Sequence, residues 1–168
     1  GRDVAETSVI TVTQGRVGGG RTAGEAKTVA ITGGGDLTVA AGRNILGGVY
    51  YVDGGAGVIA AGGNITAGHT ISYLERGGDE TLVRGVNPQL AIGDATLTVS
   101  AGGAIELAGA GNPTQWFRSR DNALAFGEDF GNLPTGQGYF STQTQRTALS
   151  VLATGGNVKL WNDTQTTY

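Results

Sequence analysis

The chain has 168 residues, no Cys and no Met, with a formal net charge of −3. That charge argues against a protein that coats phosphate backbones, the missing Cys excludes a disulfide framework, and no apolar run approaches the roughly 20 residues of a membrane span. With 32 Gly but only three Pro and 39% hydrophobic residues, the composition fits neither collagen, which needs Gly at every third position, nor a disordered linker.

Residues 1–35 open with an alternating β-type run, Ser8 to Thr13. Val12 to Val17 reads as a shortened copy of the motif that follows, and Val29 to Thr32 as a further strand. Gly18, Gly20 and Ala23 satisfy a relaxed G-x-G-x-x-A pattern, which carries nucleotide chemistry only where it opens a helix after a strand. Nothing after it reads as an amphipathic helix, so a turn is the expectation. Gly1 at the start of a chain without Met implies a processed product or an excised fragment.

Residues 36–68 state one motif twice. V-A-A-G-R-N-I at 39–45 returns as I-A-A-G-G-N-I at 59–65, then as V-S-A-G-G-A-I at 99–105 and L-A-T-G-G-N-V at 152–158. The spacing predicts a period near 20, with one weakly marked copy between Gly68 and Ala91. Within each copy, Leu37 and Val39, or Leu97 and Val99, alternate with Thr as in a strand with one buried face. Gly42, Gly62, Gly102 and Gly155 are the expected bends, at positive φ, with Asn44, Asn64 and Asn157 as further turn residues. Between the two clear copies, Val49-Tyr50-Tyr51-Val52 is a β-prone run that must send its two rings to opposite faces. Asp36 and Asp53 flank turns and are read as turn caps.

Residues 69–93 hold the only His and a cluster of charge: His69, Glu75, Arg76, Asp79, Glu80 and Arg84. Either His69 is a base with Glu75 or Asp79 as partner, or this is an irregular coil or loop with solvated charges; the second reading is preferred. Residues 94–111 restore the motif, with Leu97, Val99, Ile105 and Leu107 as core candidates. Residues 112–146 break it with an aromatic-rich excursion containing Trp116, Phe117, Phe126, Phe130, Tyr139 and Phe140. Its aromatics favour order over disorder. Trp116, Phe117, Arg118, Arg120 and Tyr139 are the candidate ligand-binding residues, against a reading in which the aromatics simply cover the stack. Residues 147–160 return to the motif. No cap is evident after them, so the chain is expected to continue or its ends to meet other copies.

A two-strand unit cannot bury its apolar face alone, whereas stacked units can. The expected fold is therefore all-β: a single right-handed parallel β-helix (β-solenoid) over 1–168, with coils of about 20 residues, two non-repetitive excursions and roughly seven or eight coils about 35–40 Å long. The copies L-T-V-A-A-G-R-N-I at 37–45, A-A-G-G-N-I at 60–65, L-T-V-S-A-G-G-A-I at 97–105 and A-T-G-G-N-V at 153–158 resemble the shaft repeats of filamentous haemagglutinin-like large exoproteins. The resemblance covers about half the chain. It implies an internal or C-terminal shaft segment of a two-partner-secretion adhesin, exported through an outer-membrane partner transporter to the surface of a Gram-negative bacterium.

The motif carries over no catalytic residue, cofactor or metal ligand, so the expectation is a non-enzymatic structural and adhesive segment. Its partners would be a host or neighbouring-cell glycan or protein, without nucleic acid or a transmembrane segment. Two alternatives stand beside it. One is a fibre subunit that self-associates head to tail. The other is a β-helix polysaccharide lyase or hydrolase using acids and bases such as Asp94, Glu106, Arg118 and Arg120.

Overall fold

The computed structural model describes residues 1–11, 13–18, 28–74, 81–112 and 143–161. Among these residues the fold is all-β, with no helix and with three parallel sheets. Sheet I orders β1 (Val4–Ala5), β6 (Ile45–Leu46), β9 (Ile65–Thr66), β14 (Ile105–Leu107) and β17 (Val158–Leu160). Sheet II orders β2 (Ser8–Ile10), β7 (Val49–Val52), β12 (Gln89–Ile92) and β15 (Gly109–Gly111). Sheet III orders β5 (Leu37–Ala41), β8 (Ala56–Ala61), β13 (Thr96–Ala101) and β16 (Ala148–Ala153). The chain visits the three sheets in the same order each time round, an arrangement compatible with a β-helix or β-solenoid.

Register puts like on like. Val4, Ile45, Ile65, Ile105 and Val158 form one column through sheet I; Val39, Ile59, Val99 and Val151 form one through sheet III; Tyr50 lies opposite Val9 and Leu90 in sheet II. Branched side chains suit such columns because they are stiff at χ1 and pack well on a pleated surface. The columns converge on one core of Leu37, Val39, Ile45, Tyr50, Val52, Ile59, Ile65, Leu90, Leu97, Val99, Ile105 and Leu107. Each fully buried aliphatic there contributes about 1.5–3 kcal/mol over an exposed one.

Two antiparallel hairpins interrupt the circuit: β3 (Thr13–Gly18) with β4 (Thr28–Gly33), and β10 (Thr70–Leu74) with β11 (Thr81–Gly85). They correct three expectations. First, no copy of the motif adds a layer between Gly68 and Ala91. Ile59 pairs directly with Val99, and the extra length goes into the second hairpin, which enters between sheets I and II. Second, Val12 to Val17 is no shortened copy, because Thr13 to Val17 pairs antiparallel inside the first hairpin. The first copy is instead Gly1-Arg2-Asp3-Val4, with Val4 in register with Ile45. Gly18 likewise sits on a hairpin strand opposite Thr28, not at the opening of a helix. Third, among the described residues four to five strands per sheet at about 4.8 Å spacing give a stack of about 14–19 Å, shorter than one of seven or eight coils.

The two ends of the stack differ. In the edge strand β5, Leu37 is 2% and Val39 7% exposed; in the edge strand β17, Val158 is 45% and Leu160 53% exposed. Ile105 and Leu107, which Val158 and Leu160 oppose, are fully buried, so β17, the last described strand, holds core positions that the described residues leave exposed.

Candidate functional site

The recurrent chemistry of the chain lies at the corner from sheet III to sheet I, where every copy of the motif turns. Asn44 Oδ1 accepts the backbone N–H of Asn64 at 2.8 Å, and Asn64 Oδ1 accepts that of Ala104 at 2.8 Å. Asp3 begins the series: its Oδ1 accepts the Asn44 N–H at 2.9 Å and the Asn44 Nδ2 at 3.1 Å. The side chain therefore caps the next layer rather than its own turn.

The glycines of the motif have a different cause from the one expected. Gly42, Gly62, Gly102 and Gly155 are absent from the residues at positive φ. They are required by close approach instead. A Cβ on Gly62 would lie 2.5 Å from the Gly42 carbonyl oxygen, one on Gly102 would run into the Gly62 oxygen, and one on Gly155 into the Gly102 oxygen. Where the layer below offers an Asn, the second glycine of the pair makes room for the cap: a Cβ on Gly63 would lie 2.5 Å from Asn44 Oδ1, and one on Gly103 would collide with Asn64 Oδ1. The motif G-G-N is thus one stacking device. The first Gly passes a carbonyl, the second passes an amide oxygen, and the Asn supplies the next layer's acceptor. Positive φ is needed at the next corner, at Gly47 (65°) and Gly48 (101°).

The excursion leaves the stack after β15 and returns at β16, on the corner from sheet II to sheet III; the β3–β4 hairpin enters at the same corner, between β2 and β5. Trp116, Phe117, Arg118, Arg120 and Tyr139 lie outside the described residues, as do Glu75 and Asp79. The two roots of the excursion are described. Asn112 is buried at the exit. At the return, the Asp94 carboxylate takes hydrogen bonds from the Thr144 hydroxyl and from Arg146 through Nη2 and, at 3.2 Å, Nε. Thr147 donates its hydroxyl to the Gly93 carbonyl at 2.7 Å and accepts the Thr144 N–H at 2.9 Å. The hydrogen bonds from Arg146 first, then from Thr144, hold the Asp94 carboxyl below the usual carboxylate range. Residues 143–147, read from sequence partly as excursion, thus belong to the clamp that rejoins the stack.

Other ionisable groups are similarly engaged. His69 Nδ1 pairs with Glu6 Oε1, a partner 63 residues away that the charge cluster around His69 did not suggest. Glu106 Oε2 accepts the Trp161 Nε1–H at 3.3 Å, while Lys159 Nζ stands 3.2 Å over the Trp161 ring. Arg43 bridges to Asp3 at 2.5 Å, and this bond, with the Asn44 N–H, holds the Asp3 carboxyl low. Of the two tyrosines, Tyr50 is buried and donates to the Gly47 carbonyl at 3.2 Å. Tyr51 is half-buried on the opposite face, and its hydroxyl is pushed up by burial first, then by the charge and hydrogen bond of Asp53. Asp36 caps a neighbouring layer, accepting the Ala56 N–H at 2.9 Å. The acids considered for polysaccharide chemistry, Asp94 and Glu106, therefore face structural partners of their own.

Comparison with family models, with curated proteins and with solved structures finds no match for this chain.

Proposed function

We propose that the chain is a shaft segment of a secreted bacterial surface exoprotein of the filamentous haemagglutinin-like kind. In this reading it is a right-handed parallel β-helix with a basic coil of about 20 residues, stiff along its axis, carried to the cell surface by an outer-membrane partner transporter. The excursion at 113–142 makes the adhesive contact with a glycan or protein through Trp116, Phe117, Arg118, Arg120 and Tyr139. The observation that carries the reading is the G-G-N ladder, in which glycine and asparagine serve only to stack one layer on the next. Where layers repeat without insertion, the capping step is 20 residues, from Asn44 to Asn64; with a hairpin inserted it is 40, from Asn64 to Ala104. Insertions enter at two corners and leave the sheets intact, which suits a scaffold that displays loops.

The test is binding of the full chain to a glycan array, beside a version with residues 113–142 replaced by a short Gly-Ser turn and the Asp94 clamp retained. Binding lost with the excursion supports the adhesive contact. Equal binding by both versions, or by neither while both are folded, removes it.

A second reading, a fibre subunit that grows end to end, rests on the layered stacking itself, in which one layer's Asn caps the next. Filaments that lengthen with concentration would support it, and a strict monomer at high concentration would exclude it.

A further inference from the structure

Among the described residues, Glu6 is the only one other than glycine at positive φ, at 49°. Its backbone N–H donates to the Leu46 carbonyl at 2.7 Å, just as that of Gly47, at φ 65°, donates to Thr66 at 2.8 Å one layer up. Glu6 thus turns a corner that glycine turns in the next layer. A residue with a Cβ is disfavoured there, and such strain is kept where the surrounding structure makes use of it.

The Glu6 side chain supplies the use. Its Oε1 reaches past the second layer to Nδ1 of His69. Gly68 keeps the path clear, since a Cβ there would lie 2.9 Å from Glu6 Cγ and 3.0 Å from Glu6 Oε1. His69 stands at the root of the β10–β11 hairpin, where its carbonyl accepts the Val86 N–H at 2.8 Å and the Val86 carbonyl accepts the Gly68 N–H at 3.1 Å. The two hairpin strands pair only with each other, so contacts at the root decide how the hairpin is seated.

We propose that Glu6 and His69 form a proton-dependent latch, which holds the root of the β10–β11 hairpin to the first layer in mild acid and loosens it as pH rises. Imidazolium against carboxylate makes a charge-assisted hydrogen bond, and neutral imidazole makes only an ordinary one. Imidazoles exchange these forms between about pH 5 and 8. Because the partner favours the protonated form, the contribution is present at the acid end of that range and lost toward the alkaline end.

No neighbour at this corner accounts for such a response instead. Thr7, Leu46, Gly47, Gly48 and Val86 meet it and do not titrate. Tyr50 donates its hydroxyl to the Gly47 carbonyl, and burial raises it from an ordinary value of 10.0, well above this range. On the hairpin, the charged position next in register is Arg84, opposite Ile71. A guanidinium keeps its charge throughout, so it biases the latch without making it depend on pH. The latch is independent of whether the excursion binds a ligand.

Hydrogen exchange of the full chain, read by NMR as protection factors at pH 5.5 and pH 7.5, tests this. The Gly68 and Val86 amides should be about two- to fivefold better protected at pH 5.5, the range that a half-exposed pair supports. The Ile65 amide, which donates to the Ala104 carbonyl at 2.9 Å within the stack, should show no such difference. Glu6→Gln should abolish the difference at the hairpin root. Glu6→Gly should abolish it too, while suiting the positive φ, so that loss of the latch is separated from damage to the corner. Equal protection at the two pH values in the parent chain, or a difference that persists in either variant, would overturn the proposal.

Discussion

Asn64 donates its backbone N–H to the side-chain oxygen of Asn44 across 2.8 Å, and its own side-chain oxygen accepts the backbone N–H of Ala104 one layer on. The series stops at Ala104, which has no side-chain oxygen to offer the Asn157 N–H. Removing one rung leaves a backbone donor without its acceptor, so Asn64→Ala should lower stability by about 1 kcal/mol, read as a shifted urea midpoint with unchanged slope. The converse substitution is more informative. Gly156 already stands where Gly63 and Gly103 clear the amide oxygens below them, so Ala104→Asn should extend the ladder to Asn157 and raise stability by about the same ~1 kcal/mol. No gain would mean that capping across layers contributes little here.

The glycines should be less forgiving. A methyl group on Gly102 would overlap the Gly62 carbonyl oxygen, a backbone atom held by its own layer. Relief requires the layers to part, so Gly102→Ala should cost about 3 kcal/mol or more, although Ala is ordinarily the easier residue to order. Thermal unfolding followed by circular dichroism would decide, and a loss below about 1 kcal/mol would show that the corner yields.

The sequence made these layers legible wherever alternation and the G-x-N frame coincide, as in Leu37 to Ile45 and Leu97 to Ile105. There the core residues, the turn positions and the parallel stacking all follow from the pattern. It was less legible where the same spacing had two causes. A step of 40 residues from Ile59 to Val99 reads equally as two plain layers or as one layer with a hairpin, and local propensity does not choose between them. The first copy, Gly1-Arg2-Asp3-Val4, was visible beside Gly42-Arg43-Asn44-Ile45, with Asp in the place of Asn. It is inconspicuous because it lacks the apolar run that precedes the other copies. Pairs such as Glu6 with His69 and Asp94 with Arg146 join residues far apart in the chain, and only the fold brings them together.

Acid should weaken the two ends of the described stack through Asp3 and Asp94. Both carboxyls are held below their ordinary value of 3.8, in each case by an arginine hydrogen bond first. A depressed carboxylate stabilises the folded chain above the unfolded pKa and ceases to do so as pH falls through the folded one, so these contributions persist at neutral pH and disappear below about pH 4. The alkaline limb has the opposite sign. Tyr50 and Tyr51 are both pushed up, chiefly by burial, so stability is retained below about pH 10 and lost as pH rises further. Urea midpoints across pH should therefore fall at both extremes. Asp94→Asn should flatten the acid limb, and a curve unchanged by that substitution would place the acid sensitivity elsewhere.

The strongest test of the layered reading is to remove an insertion. In the layer before it, Leu46-Gly47-Gly48-Val49 carries the chain from sheet I to sheet II with two glycines, both at positive φ. In the next layer the same passage runs from Thr66 to Gln89 and includes the β10–β11 hairpin. Replacing residues 67–88 by Gly-Gly should give a chain whose third layer repeats the second. Sheets I and II need not move, because Leu46 already opposes Thr66 and Val49 already opposes Gln89. The variant loses the pair between Glu6 and His69, which is half-exposed and contributes at most about 1 kcal/mol. It also loses the buried Asn87, whose Oδ1 has no hydrogen-bond partner among the described residues, so the cost of burying that oxygen is relieved. The expected outcome is a cooperative unfolding transition within a few degrees of the parent and an undiminished β signal. A molten or insoluble product would mean that the hairpin is part of the scaffold, and that a layer without it cannot close between Ile65 and Leu90.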